Sequence, residues 1–142
     1  MKAVATLLAL PAIAFAATAS LSYDTVYDNK NGDMTTVACS DGENGMITAG
    51  FNKFGDLPNF PNIGGAPAVT GWNSTNCGTC WKVTFTNSKG VSKSINVLAI
   101  DVGSKGFNIA QAAMNTLTNN QAVQLGRVNV DAVQAAASAC GL

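Results

Sequence analysis

The sequence predicts a mainly β protein in which short strands and crossing loops form a compact barrel. Apolar and polar residues alternate over short stretches such as residues 81–86 (WKVTFT) and 128–133, and turns rich in Gly, Asn and Asp separate them. Helical spacing of apolar residues is clearest in one segment, residues 109–117 (IAQAAMNTL). With 142 residues and four cysteines, the chain fits a single domain with a disulfide framework.

The first residues have the pattern of a secretory signal peptide. Met1 and Lys2 precede an almost wholly apolar run over residues 3–15, and small-residue cleavage patterns follow at 14–16 and 17–19. The alternative is a membrane anchor, but the run is shorter than the roughly 20 residues that cross a bilayer. We therefore predict a signal peptide over residues 1–19, a domain over residues 20–142, and a secreted, extracellular protein whose mature chain begins between Ala17 and Leu21.

Charge and composition exclude several kinds of function. Eight basic residues balance eight acidic ones, so neither nucleic-acid binding by counterion release nor docking on an anionic membrane is favoured. The absence of histidine excludes histidine-dependent catalysis and histidine zinc sites. Only 11% of the chain is charged, while Asn, Thr, Ser and Gly are plentiful, which favours hydrogen bonding to neutral polar ligands such as sugars. No cofactor and no metal are expected.

The N-terminal half combines two predicted strands with long loops. The strands are residues 22–27 (SYDTVY) and 34–38, separated by a turn over residues 28–33. A Gly-marked loop and a helical turn follow at 40–45 and 46–49. Pro58, Pro61, Pro67 and several glycines then make residues 51–71 an irregular loop. Loops of this length often carry function on a fixed scaffold.

The C-terminal half holds the clearest strands. Strands are predicted at residues 81–86, 94–100 and 128–133, and the second of them ends directly before Asp101. Asn108 is the expected N-cap of the helix over residues 109–117. A short helical turn is predicted at 122–125, and residues 132–139 have helical propensity as an alternative to strand.

The four cysteines, at positions 39, 77, 80 and 140, favour disulfides in a secreted chain. The CxxC at residues 77–80 could instead be a redox or metal motif. The redox interpretation needs a thioredoxin-like βαβ pattern, which is missing from the sequence. The zinc interpretation needs four reduced cysteines in an oxidising compartment. Four cysteines allow three pairings, and the residues alone leave these open.

An ordered set of short motifs resembles the fungal cerato-platanins from about Ser22 to the C-terminus. The motifs are SYD (22–24), YD (27–28), CSDG (39–42), PNFPNIGG (58–65), GWN (71–73), CGTC (77–80), AID (99–101), GFN (106–108) and GRV (126–128). The resemblance implies a six-stranded double-psi β-barrel, similar to barwin and to the first domain of expansins. It also implies the pairing Cys39–Cys77 and Cys80–Cys140.

The same resemblance implies a function in the fungal cell wall or medium. Family members bind chitin or N-acetylglucosamine oligomers, loosen chitin or cellulose without hydrolysis, self-assemble at interfaces and elicit plant defence. We therefore expect a non-catalytic polysaccharide-binding protein. Two alternatives stay open. One is an interface-active effector recognised by a plant receptor, and the other is a weak glycoside hydrolase.

Asp101 is the residue of most chemical interest. In double-psi-barrel endoglucanases and in expansins, a carboxylate at the corresponding place faces the glycan groove and can act as a general acid. Inverting hydrolysis also needs a second carboxylate about 6.5–9.5 Å away. Asp24, Asp28 and Asp41 are candidates, but the resemblance assigns none of them, so no catalytic residue is predicted. The structural alternative is that Asp101 accepts loop N–H bonds.

The expected carbohydrate-binding residues lie in motifs shared with the family: Tyr23, Asp24, Asp41, Asn59, Asn62, Asn73 and Asp101. Asp24 and Asp41 could equally satisfy loop backbone groups. Trp72, in a Gly-bounded loop, could stack on a sugar, whereas Trp81 beside a cysteine at a strand start is expected in the core. Asn73-Ser74-Thr75 is also an N-glycosylation sequon.

Overall fold

A computed structural model describes residues 16–142, which fold into six strands with short helical segments between them. The strands are β1 (Ala17–Tyr23), β2 (Ile63–Ala66), β3 (Cys80–Thr86), β4 (Ser92–Val102), β5 (Phe107–Ile109) and β6 (Arg127–Ala135). The helices are α1 (Gln111–Thr118) and α2 (Ala122–Leu125). Four 3₁₀ turns lie at Thr25–Asp28, Met34–Thr36, Phe54–Asp56 and Ala137–Cys140. No helix within residues 16–142 is both long and apolar enough to span a membrane.

The strands close into a barrel in the order β1-β5-β2-β4-β3-β6. The β1/β5 and β2/β4 pairs are parallel, and the other four pairs are antiparallel. Closure removes the unpaired strand edges that would otherwise invite aggregation. The predicted six-stranded double-psi barrel is therefore confirmed.

Alternation along the strands places the core inside the barrel. In β6, Val128, Val130 and Ala132 are buried while Arg127 and Asn129 are exposed, which is the period of two expected for a strand with one face in water. The middle of β4 departs from this pattern, because residues 97–100 are all buried. The helix α1 packs against β4, so this part of the strand is covered on both faces.

The predicted signal peptide lies mostly outside the described residues, and its boundary stays a prediction. Ala17, Thr18 and Ala19 form the start of β1 and pair with residues 132, 131 and 130 of β6. A mature chain that begins at Ala17 keeps these three pairs, whereas one that begins at Ser20 loses them.

Two predicted N-terminal strands are wrong for the same physical reason. The strand predicted over residues 22–27 ends at Tyr23, because the Asp24 carboxylate accepts the Val26 N–H at 3.0 Å and bends the chain into a 3₁₀ turn. The strand predicted over residues 34–38 is also a 3₁₀ turn, since Asp33 accepts the Thr35 N–H at 2.9 Å. The same bond holds the pKa of Asp33 below its usual value.

The helix α1 is capped by a residue that is distant in sequence. Asn108, the predicted cap, lies in β5, and the helix begins at Gln111. Its first N–H groups, those of Gln111 and Ala112, donate to the two carboxylate oxygens of Asp28 at 2.8 and 2.9 Å. A carboxylate at this end also complements the positive end of the helix dipole. At the C-terminus, β6 continues to Ala135, so the helical alternative for residues 132–139 is wrong over most of its length.

The expected disulfide pairing is confirmed. Cys39 bonds to Cys77 and Cys80 to Cys140, so the two cysteines of the CxxC have different partners. The first bridge joins two loops, and the second ties the start of β3 to the C-terminal 3₁₀ turn.

We expect the double substitution Cys80→Ala/Cys140→Ala to lower the free energy of unfolding by about 4 kcal/mol, because that bridge closes a loop with a sequence separation of 60 residues. Urea unfolding of the oxidised proteins measures the change. A midpoint equal to that of the wild type would contradict a stabilising role for this bridge.

We also expect Asp28→Ala to lower the free energy of unfolding by about 1 kcal/mol, since two N–H groups at the start of α1 lose their acceptor. The matched control is Asp131→Ala, an exposed carboxylate with one long contact to Thr18 at 3.5 Å, for which the change should stay within about 0.5 kcal/mol. Equal effects of the two substitutions would show that Asp28 does not act as a cap.

Candidate functional site

Asp101, at the end of β4, is held by three hydrogen bonds. Its Oδ1 accepts the N–H of Ala38 at 3.0 Å and that of Val102 at 2.9 Å, and its Oδ2 accepts the Tyr27 hydroxyl at 2.8 Å. These bonds attach the 3₁₀ turn Thr25–Asp28 and the segment before Cys39 to the barrel. Asp101 therefore has the structural role considered in the sequence analysis, which is to accept N–H bonds from loops.

Tyr27 is buried beneath this carboxylate and packs beside Phe54. Burial is the largest cause that raises the pKa of the Tyr27 hydroxyl, followed by the negative charge of Asp101, the hydrogen bond to it and the charge of Asp24. The hydroxyl therefore remains a proton donor to Asp101 at any physiological pH.

Strand pairing aligns five residues in one row across the barrel surface. Arg127 of β6 pairs with Ser22 of β1, which pairs with Asn108 of β5. Asn108 pairs with Gly65 of β2, and Gly65 pairs with Asp101 of β4. Four steps of about 4.8 Å between neighbouring strands give a row about 19 Å long.

The fourth residue of the row, Gly65, is buried beneath the backbone that ends β4. A Cβ on Gly65 would collide with the carbonyl oxygen of Val102, so no larger residue fits without displacement of the backbone. The β2/β4 register shifts between Gly64 and Gly65, and this shift places Asp101, rather than Ile100, opposite Gly65. The irregularity therefore brings Asp101 into the row.

A cavity of about 260 Å³ lies at the Arg127 end of the row. Ser22 and Asn108 line it, and the Ser22 hydroxyl donates to the Asn108 side-chain oxygen at 3.1 Å. The loop between β4 and β5 supplies the remaining lining residues, among them Ser104 and Lys105. This end of the row is polar and carries basic side chains.

An exposed tryptophan lies on the loops next to the other end. Trp72 is 62% exposed, and its indole N–H donates to Asp41 Oδ1 at 2.7 Å. Asn73 adopts a left-handed conformation with φ of 57°, and its side-chain oxygen accepts the Asn44 N–H at 2.9 Å. The Cys39–Cys77 bridge joins the two loops, and the Cys39 N–H donates to the Ile100 carbonyl, one residue before Asp101.

The remaining predicted site residues lie elsewhere. The Asn59 side-chain NH₂ donates to the carbonyls of Asn62 and Asn96 at 2.7 and 2.9 Å, which fastens the loop before β2. Asn62 lies three residues before Gly65, or about 10 Å along the strand direction. Tyr23 is half-buried and packs against the core. Asp24 begins the 3₁₀ turn that holds Tyr27, and Asp41 and Asn73 lie in the two loops joined by the Cys39–Cys77 bridge. Asn59 and Asn62 lie in a different loop, the one before β2.

Sequence reasoning missed the polar residues at the other end of the row, which are Ser22, Asn108, Lys105 and Arg127. Three of them lie in the SYD, GFN and GRV motifs, so the motifs marked the segments. Their common row depends on strand register, which the motifs do not contain. The expectation for Trp81 is confirmed, since it packs against the core and contacts Phe107 edge-on at 6.2 Å.

A closed barrel of this size with two disulfides and an open polar row defines a class of small disulfide-linked β-barrel proteins that present a surface groove. The family model for Cerato-platanin matches residues 19–142, and the chain belongs to the cerato-platanin family of fungal elicitor-type proteins.

Similar proteins support this assignment. The Allergen Asp f 15 homolog of Arthroderma benhamiae is 56% identical over 130 residues, which are 92% of this chain and 62% of that protein. The crystal structure of cerato-platanin 2 from M. perniciosa has 48% identity and a TM-score of 0.84, covering 89% of this chain and all of that one. The solution structure of the fungal elicitor Cerato-Platanin has 41% identity and a TM-score of 0.74, covering 85% and 95%.

We expect Tyr27→Phe to lower the free energy of unfolding by about 1–3 kcal/mol, because the half-buried Asp101 carboxylate loses a hydrogen-bond donor. Tyr23→Phe is the matched control, since its half-buried ring packs against the core without a role in this bond. Urea unfolding of both variants measures the difference. Equal destabilisation would mean that the bond to Asp101 contributes nothing specific.

Proposed function

We propose that this protein binds oligosaccharides of the fungal cell wall, namely chitin or N-acetylglucosamine oligomers, along the row from Arg127 to Asp101, and that it does so without cutting them. The alignment of Ser22, Asn108, Gly65 and Asp101 across four neighbouring strands carries this proposal. Cellulose is a second polymer with the same kind of hydroxyl-rich surface.

The chemistry of the row suits a sugar chain. Ser22 and Asn108 offer a hydroxyl and an amide, which hydrogen-bond neutral hydroxyl and N-acetyl groups. Trp72, exposed on the adjoining loops, offers an aromatic face. An open surface also lets a long polymer lie across the protein, where a closed pocket would admit only its end.

The bonding of Asp101 argues against hydrolysis. A general acid must hold a proton that it can give to the glycosidic oxygen. Asp101 instead accepts a hydrogen bond at both oxygens, including one from a phenol that stays protonated. Binding that competes with the hydrogen bonds between polymer chains would loosen the wall, which is the expansin-like activity expected of this protein.

The wider role proposed here is that of a secreted protein of the cell wall that elicits plant defence, in line with the fungal elicitor among its structural relatives. Recognition by a plant receptor and self-assembly at interfaces form the second candidate function. Exposed apolar side chains outside the row favour it, in particular those of Val91 and Val123, which are 60% and 61% exposed. The two functions are compatible because they use different surfaces.

An NMR titration with chitin oligomers tests the proposal. Amide shifts should saturate at Ser22, Gly65, Asn108 and Asp101, and Asn108→Ala should weaken binding by roughly three- to tenfold, because one hydrogen bond is lost. Gln134→Ala is the control, since this exposed amide lies seven residues along β6 from Arg127, or about 23 Å. Its affinity should equal that of the wild type.

Three outcomes would contradict the proposal. If millimolar oligomer caused no amide shifts, chitin oligomers would be excluded as the ligand. Interfacial assembly or recognition by a receptor would then be favoured. Equal losses of affinity in Asn108→Ala and Gln134→Ala would exclude the row as the binding site. Release of reducing ends from chitin oligomers would show that the protein hydrolyses its ligand.

A further inference from the structure

The cavity at the Arg127 end of the row is lined by two charged side chains of the same sign. Lys105 and Arg127 are its only charged lining residues in the described part of the chain, and both are basic. The whole chain has as many acidic as basic residues, so this concentration of positive charge is local. No carboxylate lines the cavity to balance it.

Arg127 is oriented by neutral oxygen atoms. Its Nη1 donates to the Ser20 hydroxyl oxygen at 2.8 Å and to the Lys105 carbonyl at 3.2 Å, while the Ser20 hydroxyl itself donates to that carbonyl at 2.6 Å. These bonds orient the guanidinium through neutral oxygen atoms, and within residues 16–142 no carboxylate lines the cavity beside it. A guanidinium has five N–H donors, so donors remain for a carboxylate, the group whose geometry matches it best.

We infer that this cavity is a subsite for the carboxylate of an acidic sugar, so that the groove accepts a uronate unit of an acidic polysaccharide at its Arg127 end. This inference rests on the proposed function, because the cavity continues the same row through Ser22 and Asn108. Arg127 and Lys105 bind the carboxylate, while Ser22, Ser104 and Asn108 hydrogen-bond the ring hydroxyls. A cavity of about 260 Å³ has room for more than a small inorganic anion.

The test compares three soluble probes by calorimetry: an oligogalacturonate, its methyl ester and an N-acetylglucosamine oligomer of equal length. The ester keeps the ring and removes the charge, and inorganic sulfate serves as a free-anion competitor. Each titration is run in low and in high salt, because screening weakens charge pairs near the surface. The proteins are the wild type, Lys105→Gln and Arg127→Gln, with Lys82→Gln as the control. Lys82 is exposed on β3 and pairs with Val133, six residues along β6 from Arg127.

We expect the oligogalacturonate to bind more tightly than its ester and more weakly in high salt. Lys105→Gln and Arg127→Gln should each weaken its binding by roughly tenfold, the effect of one charge-assisted hydrogen bond. The Lys105→Gln substitution keeps the backbone carbonyl that accepts from Arg127. A loss of affinity in this variant is therefore not explained by a displaced β4–β5 loop. Both variants should lose more affinity for the oligogalacturonate than for the neutral oligomer, because only the former carries carboxylates. Lys82→Gln should match the wild type with every probe.

The outcomes separate this inference from the proposed function. Equal affinities for the acid and its ester, or equal losses in Lys82→Gln and Lys105→Gln, would overturn the uronate subsite while the neutral oligomer still binds. Complete competition by sulfate at equal ionic strength would also overturn it, because the cavity would then be a general anion site. Tight uronate binding without any binding of the neutral oligomer would support the subsite and overturn the proposed neutral ligand.

Discussion

The hydrogen bonds of the Asp101 carboxylate fasten loops to the end of the barrel at which we propose that a ligand binds. Strand β4 ends at Val102, and residues 24–62 form loops and 3₁₀ turns in which the one isolated β-bridge joins Asp33 to Lys53. Asp101 fastens one of these loops through Tyr27 and another through the N–H of Ala38. The Cys39–Cys77 bridge begins one residue after Ala38 and carries the constraint to the loop of Trp72. One carboxylate thereby positions both the row and its aromatic neighbour.

The row depends in turn on how a six-stranded barrel closes. Parallel pairs β1/β5 and β2/β4 place residues distant in sequence beside one another, and the register shift at Gly64 and Gly65 selects Asp101 for the row. Backbone approaches too closely at Gly65 for a side chain to fit. Packing therefore requires glycine at position 65, where the register shift brings Asp101 into the row. Folding and the proposed binding both depend on this constraint. The free energy of unfolding must therefore be measured for each variant of the row alongside its affinity, so that a loss of stability is not mistaken for a loss of binding.

Much of the barrel could be predicted from the sequence, because β3 and β6 alternate clearly, and the disulfide pairing followed from the family resemblance. Several errors share a cause, which is that side chains of Asp and Asn can satisfy backbone groups near or far in sequence. Asp24 and Asp33 end strands locally, whereas Asp28 caps a helix 83 residues away. A separate error is the irregular loop predicted over residues 51–71, because its residues Ile63–Ala66 form β2. The candidate site was half predicted. Asp101 and Asp41 come from motifs, whereas the place of Arg127 in the row depends on strand register and Lys105 reaches the adjoining cavity from the loop between β4 and β5.

The same carboxylate that organises the site also limits its chemistry. An ionised carboxylate has about four lone-pair sites, and three of those on Asp101 already accept hydrogen bonds from Ala38, Val102 and Tyr27. One site remains for a sugar hydroxyl, so Asp101 can accept from a ligand without giving up its structural bonds. That remaining site is also where Asp101 would have to carry the proton of a general acid, so it cannot hold this proton and accept from a sugar hydroxyl there at the same time. A carboxylate used in this way favours a surface that holds a polysaccharide chain over one that cleaves it.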